Sequence, residues 1–203
     1  GAEYMRALIG AGVSADQAAR SILFCVSMDS DFQVGMARLR AARRIWSQIA
    51  EAFGARGAAA TMTLQAVTSR RMLARRDAWG NILRNTAACF AAGVGGADIV
   101  TVRPFTDPLG LPSSLARRLA RNTQIIAQEE SSLGRVVDPA GGAWAMERLG
   151  SDLGEAAWGL FQQIEGEGGL MRALQNGGFQ GGVAAARASR MKAVARRKEW
   201  VTG

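Results

Sequence analysis

The sequence predicts a parallel α/β fold made of four strand–helix units followed by a helical tail. Three observations favour this class. Short apolar runs, such as residues 22–26, are typical of strands that are covered on both faces. Segments with apolar residues at helical spacing follow these runs. Glycine pairs at 95–96 and 141–142 then mark connections between elements.

The elements can be predicted in order along the chain. Residues 1–11 predict a helix with Tyr4 facing inward, and Ser14 is an N-cap candidate for a second, shorter helix. The predicted strands cover residues 22–26, 59–67, 99–102 and 135–138. The predicted helices cover residues 32–53, 78–92 and 115–130, and in the tail 149–165, 170–176 and 182–198.

Helical spacing also predicts which side chains are buried. In the helix over 78–92, Trp79, Ile82 and Leu83 fall on the apolar face. In the helix over 32–53, four arginines are expected on the solvent side: Arg38, Arg40, Arg43 and Arg44.

The helix over 115–130 carries its charges against the helix macrodipole. Its arginines lie near the N-terminus, and Glu129 and Glu130 occupy the last turn. Each such exposed charge costs about 0.3–1 kcal/mol. Either solvent and salt screen these charges, or partners on neighbouring elements hold some of them.

Residue usage excludes several classes of site. The chain contains no histidine, so a zinc site with histidine ligands, a Ser-His-Asp triad and a Cys-His dyad are excluded for this chain. No catalytic, cofactor-binding or metal-binding residue is predicted. Cys25 and Cys89 lie in apolar runs, so we expect buried free thiols rather than a disulfide.

The net charge of +8 raises the hypothesis of a nucleic-acid-binding protein. The arginines are spread along every helix, however, and few aromatic side chains are available for base stacking. We therefore expect a solvated basic surface and no nucleic-acid partner. No uncharged stretch is long or apolar enough to span a bilayer. Residues 1–6 show no basic start followed by an apolar run, so a secretory leader is not expected from them. The cytoplasm is the expected compartment.

Seven segments carry a resemblance to a known family. They read GAEY at 1–4, MARLRAAR at 36–43, GGAD at 95–98, LGLP at 109–112, ARNTQ at 120–124, QEES at 128–131 and VDPAGG at 137–142. In sequence and in order they closely resemble the C-terminal part of the barrel domain of the methylmalonyl-CoA mutase family. That family consists of cobalamin-dependent acyl-CoA mutases whose substrate domain is a (β/α)8 TIM barrel.

The number of strands agrees with this resemblance. A full barrel needs eight strands and about 250 residues, and four strands alone would leave two unpaired apolar edges. We therefore expect the C-terminal half of a barrel, whose N-terminal half lies elsewhere on a longer polypeptide or on another chain. Residues 1–148 would form the second half of the barrel domain, and residues 149–203 the helical tail of the same domain.

The resemblance also implies where a substrate and a corrin would bind. In catalytic members, an Arg and a Ser on the strand before the long helix contact the acyl-CoA, and the matching positions here are Ser21 and Leu23. The His-Thr-Asn and Asp-Glu-Ala stretches after the third strand correspond to residues 101–103 and 106–108. In catalytic members, the strand and loop between these two regions carry Arg, His, Gln and Trp. The corresponding residues of this chain are Thr63, Gln65, Val67 and Arg71.

The loops themselves offer two further candidates. Arg103 is placed to bind a phosphate, and Asp107 to act as a base, because both follow a predicted strand of a barrel-like sheet. As isolated loop charges, both are expected to be solvated.

The chain matches the family at scaffold positions and differs from its catalytic members at the site positions. In this respect it resembles the small, non-catalytic subunit of the heterodimeric bacterial enzymes. The resemblance implies a heterodimer with a catalytic large subunit, which holds adenosylcobalamin and interconverts methylmalonyl-CoA and succinyl-CoA. The alternative is a divergent active acyl-CoA mutase substrate domain with different acyl specificity.

Overall fold

The computed structural model describes residues 1–198, and the chain divides into two compact units, Gly1–Gly154 and a second that begins at Glu155. All strands of the described residues lie in the first unit. In chain order the elements are α1 (Ala2–Gly10), α2 (Ala15–Arg20), β1 (Leu23–Met28), α3 (Phe32–Ala52), β2 (Thr63–Thr68), α4 (Gly80–Val94), β3 (Ile99–Thr101), α5 (Ser114–Glu129), α6 (Trp144–Gly166), α7 (Leu170–Gln175) and α8 (Gly178–Ala195).

The three strands form one parallel sheet in the order β1-β2-β3. One row of the register joins Cys25, Gln65 and Ile99, and the next row joins Ser27, Val67 and Thr101. Parallel neighbours need a crossover between them, which α3 and α4 supply. The predicted α/β class with a parallel sheet is confirmed.

Among the described residues, helices cover one face of this sheet and leave the other open. On that face Met28, Leu64 and Ala66 are fully buried. On the other face Leu23 is 52% exposed and Cys25 is exposed. The prediction that residues 22–26 are covered on both faces is therefore wrong for this chain, because three strands cannot curve far enough to cover their own second face. The prediction that Cys25 is buried fails for the same reason.

The predicted fourth strand at 135–138 does not form. These residues make bends and turns, and Val137 is 95% exposed. Asp138 has a positive φ of 48° and is held by Arg40 on α3 at 3.0 Å, whereas no residue of this segment pairs with β3. An apolar run becomes a strand only where it finds a partner to pair and pack with, and this segment is held elsewhere.

Two predicted helix faces are also partly wrong. On α1, Tyr4 is 67% exposed and Met5 is buried instead. On α4, Trp79 and Leu83 lie at the surface, while the polar side chains of residues 81 and 85 are buried. The prediction for this helix was right at Cys89, which is buried, and wrong at Trp79 and Leu83. Apolar spacing could not anticipate that two amides would find backbone partners inside the protein.

The core of the first unit lies between the sheet, α3 and α4. Trp46 and Leu39 on α3 are buried against this centre. At Gly95 a Cβ atom would lie 2.9 Å from the carbonyl oxygen of Ala91 and 3.1 Å from the Cα of Met36. Gly95 is therefore required for the close approach of α4 and α3, and this approach fixes the sheet beneath them.

The second unit consists of helices. The tail helices predicted at 170–176 and 182–198 correspond to α7 and α8, although α8 begins earlier, at Gly178. Leu160 and Ile164 face Phe179 and Val183 across an apolar groove of about 450 Å³. The predicted tail extends to 203, of which residues 199–203 lie outside the described residues. Within residues 1–198, no helix combines the length and apolar character that a bilayer crossing requires.

Candidate functional site

The uncovered side of the sheet, called here the open face, is the first candidate surface. Strand alternation and the burial pattern define it, and Gln65 confirms it by donating a hydrogen bond to the Thr101 hydroxyl at 3.0 Å. None of its side chains is charged. They are Leu23, Cys25 and Ser27 on β1, Thr63, Gln65 and Val67 on β2, and Ile99 and Thr101 on β3.

The loops that follow the three strands form the second candidate, called here the carboxyl-end mouth (residues 29–31, 69–79 and 102–113). Thr68, the last residue of β2, is 2% exposed and organises it. Its hydroxyl accepts a hydrogen bond from the backbone N–H of Arg103 at 2.8 Å, and its carbonyl accepts one from the Arg103 Nε at 3.0 Å. The loop after β3 is thereby fixed to the end of β2.

Five charged side chains of this mouth pair with one another. Asp107 lies 2.8 Å from the Arg70 Nε and 3.9 Å from the Arg103 guanidinium. Arg71 contacts Asp29 at 2.6 Å across the ends of β2 and β1. The expectation that Arg103 and Asp107 are isolated solvated charges is therefore wrong. Since both are held within one network, Asp107 is placed as an ion-pair partner rather than as a base.

Two buried amides support the mouth from below, and sequence reasoning missed both. Asn81 is 0% exposed; it accepts a hydrogen bond from the Ala74 N–H and donates to the carbonyls of Ala74 and Phe105, each at 2.9 Å. Asn85, one helical turn later, donates to the Arg103 carbonyl at 2.8 Å. The sequence did contain a signal for their burial. Asn81 and Asn85 are four residues apart, and this spacing places them on the same helix face as Ala88 and Cys89.

The positions implied by the family resemblance do not converge on one site. Ser21 precedes β1 and bonds the Gln17 carbonyl at 2.8 Å, and Leu23 begins that strand, so both lie at the end opposite the mouth. Thr63 likewise begins β2. Of these positions, Arg71 and residues 102, 103 and 106–108 lie in the mouth, where Arg71, Arg103 and Asp107 are already engaged.

The opposite end of the sheet carries a second charged cluster, called here the amino-end clamp (Arg40, Arg43, Asp98, Asp138 and Glu147). The expectation that Arg40 and Arg43 lie on the outside of α3 is wrong. Arg40 contacts Asp138 at 3.0 Å and Glu147 at 2.7 Å. Arg43 contacts Asp98 at 2.9 Å.

Arg43 also reaches the backbone at the starts of two strands. It donates hydrogen bonds to the Met62 carbonyl at 2.7 Å and to the Gly96 carbonyl. Asp98 accepts a further bond from the Leu64 N–H at 2.7 Å. One side chain of α3 therefore joins the segments that lead into β2 and β3.

Contacts within the clamp shift the pKa values of two of its side chains. The hydrogen bond from Arg40, followed by that from the Gly142 N–H, lowers the pKa of the Glu147 carboxyl below its ordinary value. The same bond to Glu147 raises the pKa of Arg40. Both shifts favour the charged forms, so the ion pair is maintained near neutral pH.

A cleft of about 490 Å³ lies beside the clamp and is lined by Arg40, Arg43, Arg44, Val137 and Gly150, among others. Its charges balance, because three arginines face Asp98, Asp138 and Glu147. Within the described residues, no group of three or more acidic or thiol side chains is arranged to hold a metal ion.

The clamp joins three of the segments that carry the family resemblance. Arg40 and Arg43 belong to the 36–43 segment, Asp98 to the 95–98 segment and Asp138 to the 137–142 segment. Some of the residues that carry the family resemblance therefore hold the scaffold together.

Comparison with known proteins agrees with this resemblance. The family model described as methylmalonyl-CoA mutase matches residues 1–203. Over 203 residues the chain is 49% identical to the methylmalonyl-CoA mutase small subunit of Streptomyces virginiae. It is 42% identical over 203 residues to that of Propionibacterium freudenreichii subsp. shermanii, and 37% identical over 178 residues to the methylmalonyl-CoA mutase of Escherichia coli (strain K12).

These matches cover most of this chain but a minor part of each relative. They include 100%, 100% and 87% of the chain, and 33%, 32% and 25% of the respective relatives. The chain thus spans about a third of the length of the two small subunits.

Proposed function

The chain belongs to the methylmalonyl-CoA mutase family, and we propose that it is part of a small subunit that pairs with a catalytic large subunit in a cobalamin-dependent methylmalonyl-CoA mutase. The observation that carries the proposal is the match along the whole chain to small subunits at 42–49% identity. The proposed complex interconverts methylmalonyl-CoA and succinyl-CoA, and the chain itself serves as scaffold and partner surface.

We propose further that residues 1–148 belong to the second half of a (β/α)8 barrel, and residues 149–203 to the helical tail of the same domain. The parallel sheet with helices on one face supports this, because a barrel also places its helices outside and its second face inside. The open face would then be the barrel interior. The missing strands would come from the part of the longer protein that this chain does not cover.

The residues of the candidate site do not fit adenosylcobalamin or an acyl-CoA. The open face offers no charged side chain, and the chain offers no histidine. In the mouth Arg70, Arg71 and Arg103 are engaged by Asp107, Asp29 and the Thr68 carbonyl, which leaves Arg75 and Arg76 as its arginines without an ion pair among residues 1–198. We therefore assign the cofactor to the large subunit and no catalytic step to this chain.

A non-catalytic role is physically coherent with this distribution. The clamp and the buried amides keep a rigid frame, which a partner can bind whether or not the mouth retains catalytic chemistry. We place the complex in the cytoplasm, with no nucleic acid or membrane as partner.

The decisive experiment uses the full-length protein with and without the large subunit. We expect the two to co-purify as a complex that converts (R)-methylmalonyl-CoA when adenosylcobalamin is added. The full-length protein alone should show neither turnover nor micromolar binding of cobalamin or acyl-CoA. Turnover without a partner would instead establish a divergent active mutase.

A second control addresses the basic surface. Electrostatic binding of DNA weakens steeply as the salt concentration rises, so low salt is the most permissive condition. We expect no DNA binding at low salt, and salt-dependent binding there would contradict the proposal.

A further inference from the structure

The exposed side of the β2–α4 connection is unusual in its composition. Residues 70–84 contain five arginines and one acidic residue. Two large apolar side chains in the same stretch are exposed, Trp79 at 61% and Leu83 at 76%. Aromatic and arginine side chains are the residues most enriched in the energetically dominant part of protein interfaces.

Two of these arginines are unengaged. Arg75 and Arg76 are exposed, and neither makes a hydrogen bond or ion pair with any of residues 1–198. By contrast, Arg70 and Arg71 contact Asp107 and Asp29 in the mouth. Two adjacent free guanidiniums favour a partner that brings carboxylates.

The aromatic side chain is held in place before any partner arrives. The Trp79 ring stacks on Phe105, with centroids 4.8 Å apart and an interplanar angle of 29°. Phe105 is itself buried, and its carbonyl is bonded by Asn81. Stacking on the buried Phe105 ring therefore restrains the indole before a partner binds. A partner that packs on the other face of the indole would lose less side-chain entropy on binding.

The backbone of this connection is equally constrained. The Asn81 side chain forms hydrogen bonds with both the N–H and the carbonyl of Ala74. These bonds hold the two ends of the segment from 74 to 81 together. The four side chains Arg75, Arg76, Trp79 and Leu83 form what is called here the arginine–tryptophan surface.

The helical member of this surface, Leu83, points away from the buried side of α4. Leu83 lies two residues from each of the buried residues Asn81 and Asn85, which on an α-helix is a rotation of about 160–200°. Strands added at the edges of the sheet, as the proposed barrel requires, would not cover Leu83. The proposed function supplies a separate chain as the occupant.

We propose that the arginine–tryptophan surface binds the large subunit, through a face that sets carboxylates around an exposed apolar side chain. The inference rests on the proposed function, because that function supplies the partner. The apolar side chain would pack on the outer face of Trp79 and against Leu83, while the carboxylates would pair with Arg75 and Arg76.

The test measures the affinity of the full-length protein for the purified large subunit by calorimetry, at low and moderate salt. Arg75→Glu/Arg76→Glu should weaken binding by about tenfold or more and should flatten its salt dependence, since charge pairs across an interface are screened. Trp79→Ala should weaken binding by about tenfold with the salt dependence unchanged.

Two matched controls accompany these variants. Arg118→Glu/Arg121→Glu makes the same charge change at exposed arginines of α5, and Trp144→Ala removes an indole that is 92% exposed on α6. Both should leave the dissociation constant within about twofold of the unmodified protein. Because Arg75 and Arg76 make no hydrogen bond or ion pair with residues 1–198, their variant tests the surface even if Trp79→Ala impairs folding.

The outcomes separate this inference from the proposed function. If the unmodified protein binds the large subunit and the Arg75/Arg76 and Trp79 variants bind as well as it does, the surface assignment is overturned and the function stands. If the unmodified protein does not bind the large subunit, both are overturned. Self-association that Trp79→Ala abolishes would identify a second copy as the occupant and would also overturn the inference.

Discussion

The two ends of the sheet use the same chemistry in different surroundings. At the amino end, the clamp arginines Arg40 and Arg43 have side chains that are 19% and 31% exposed. At the carboxyl end, Arg70 and Arg71 also pair with aspartates, but their side chains are 68% and 63% exposed. The clamp arginines are therefore less exposed than the mouth arginines, whereas the carboxylates show the reverse order, at 46–50% in the clamp and 21–27% in the mouth.

This difference separates scaffold from surface. Arg43 bonds two backbone carbonyls as well as a carboxylate, so it couples distant segments, and its removal leaves all three groups without this donor. Exposed pairs contribute about 0–1 kcal/mol each and tolerate replacement. The family resemblance follows the first kind, because the clamp joins the segments at 36–43, 95–98 and 137–142.

The largest expected effect tests the buried support of the mouth. Asn81→Ala should lower the free energy of unfolding by about 3 kcal/mol, because three buried backbone groups of Ala74 and Phe105 lose their partners. Chemical denaturation measures the loss. Asn122→Ala on the partly exposed side of α5 is the matched control and should change stability by less than about 0.5 kcal/mol. Equal losses in the two variants would show that the mouth does not depend on Asn81.

The next effect tests the clamp. Arg43→Met should cost about 2 kcal/mol of unfolding free energy, since Met62, Gly96 and Asp98 lose a shared donor and the methionine keeps the packing of the side-chain stem. Denaturant titration measures the free energy of unfolding of Arg43→Met and of the control Arg44→Met, whose substitution lies at the next residue of the same helix. Because Arg44 is exposed, its variant should be near neutral. If Arg43→Met left the free energy of unfolding unchanged, the clamp would contribute no more to stability than an exposed surface ion pair.

A smaller effect should depend on pH. The folded pKa of Glu147 lies below its ordinary value of 4.5, so its contribution to stability is present above about pH 4.5 and is lost as the pH falls through the folded pKa. Glu147→Gln should therefore destabilise the protein at neutral pH, and the difference from the unmodified protein should shrink in acid. Thermal unfolding at several pH values measures it, with Glu155→Gln as control. A pH-independent difference would mean that charge is not the cause.

The last prediction leaves stability unchanged and examines the open face. Burial raises the pKa of the Cys89 thiol to about 11, so it should react with iodoacetamide only after unfolding. Cys25 is exposed on the open face of this chain. In the full-length protein Cys25 should be protected, because the proposed barrel encloses that face. Mass spectrometry of the alkylated peptides distinguishes the two sites, and rapid labelling of Cys25 in the full-length protein would contradict the barrel.

Helical and strand periodicity determined the order of the elements, the parallel α/β class and most helix bounds, because these depend on the pattern of neighbouring residues. The order of seven short segments indicated the family for the same reason, since it can be read along the chain. The absence of histidine likewise excluded several catalytic arrangements without any coordinates.

The tertiary structure alone decided which polar side chains are buried and which apolar ones are exposed. Asn81 and Asn85 lie inside because backbone groups 7 to 24 residues away accept or donate their hydrogen bonds. Val137 is exposed because Arg40, 98 residues before Asp138, holds that segment away from β3. Local sequence cannot specify partners that only the folded chain brings within bonding distance.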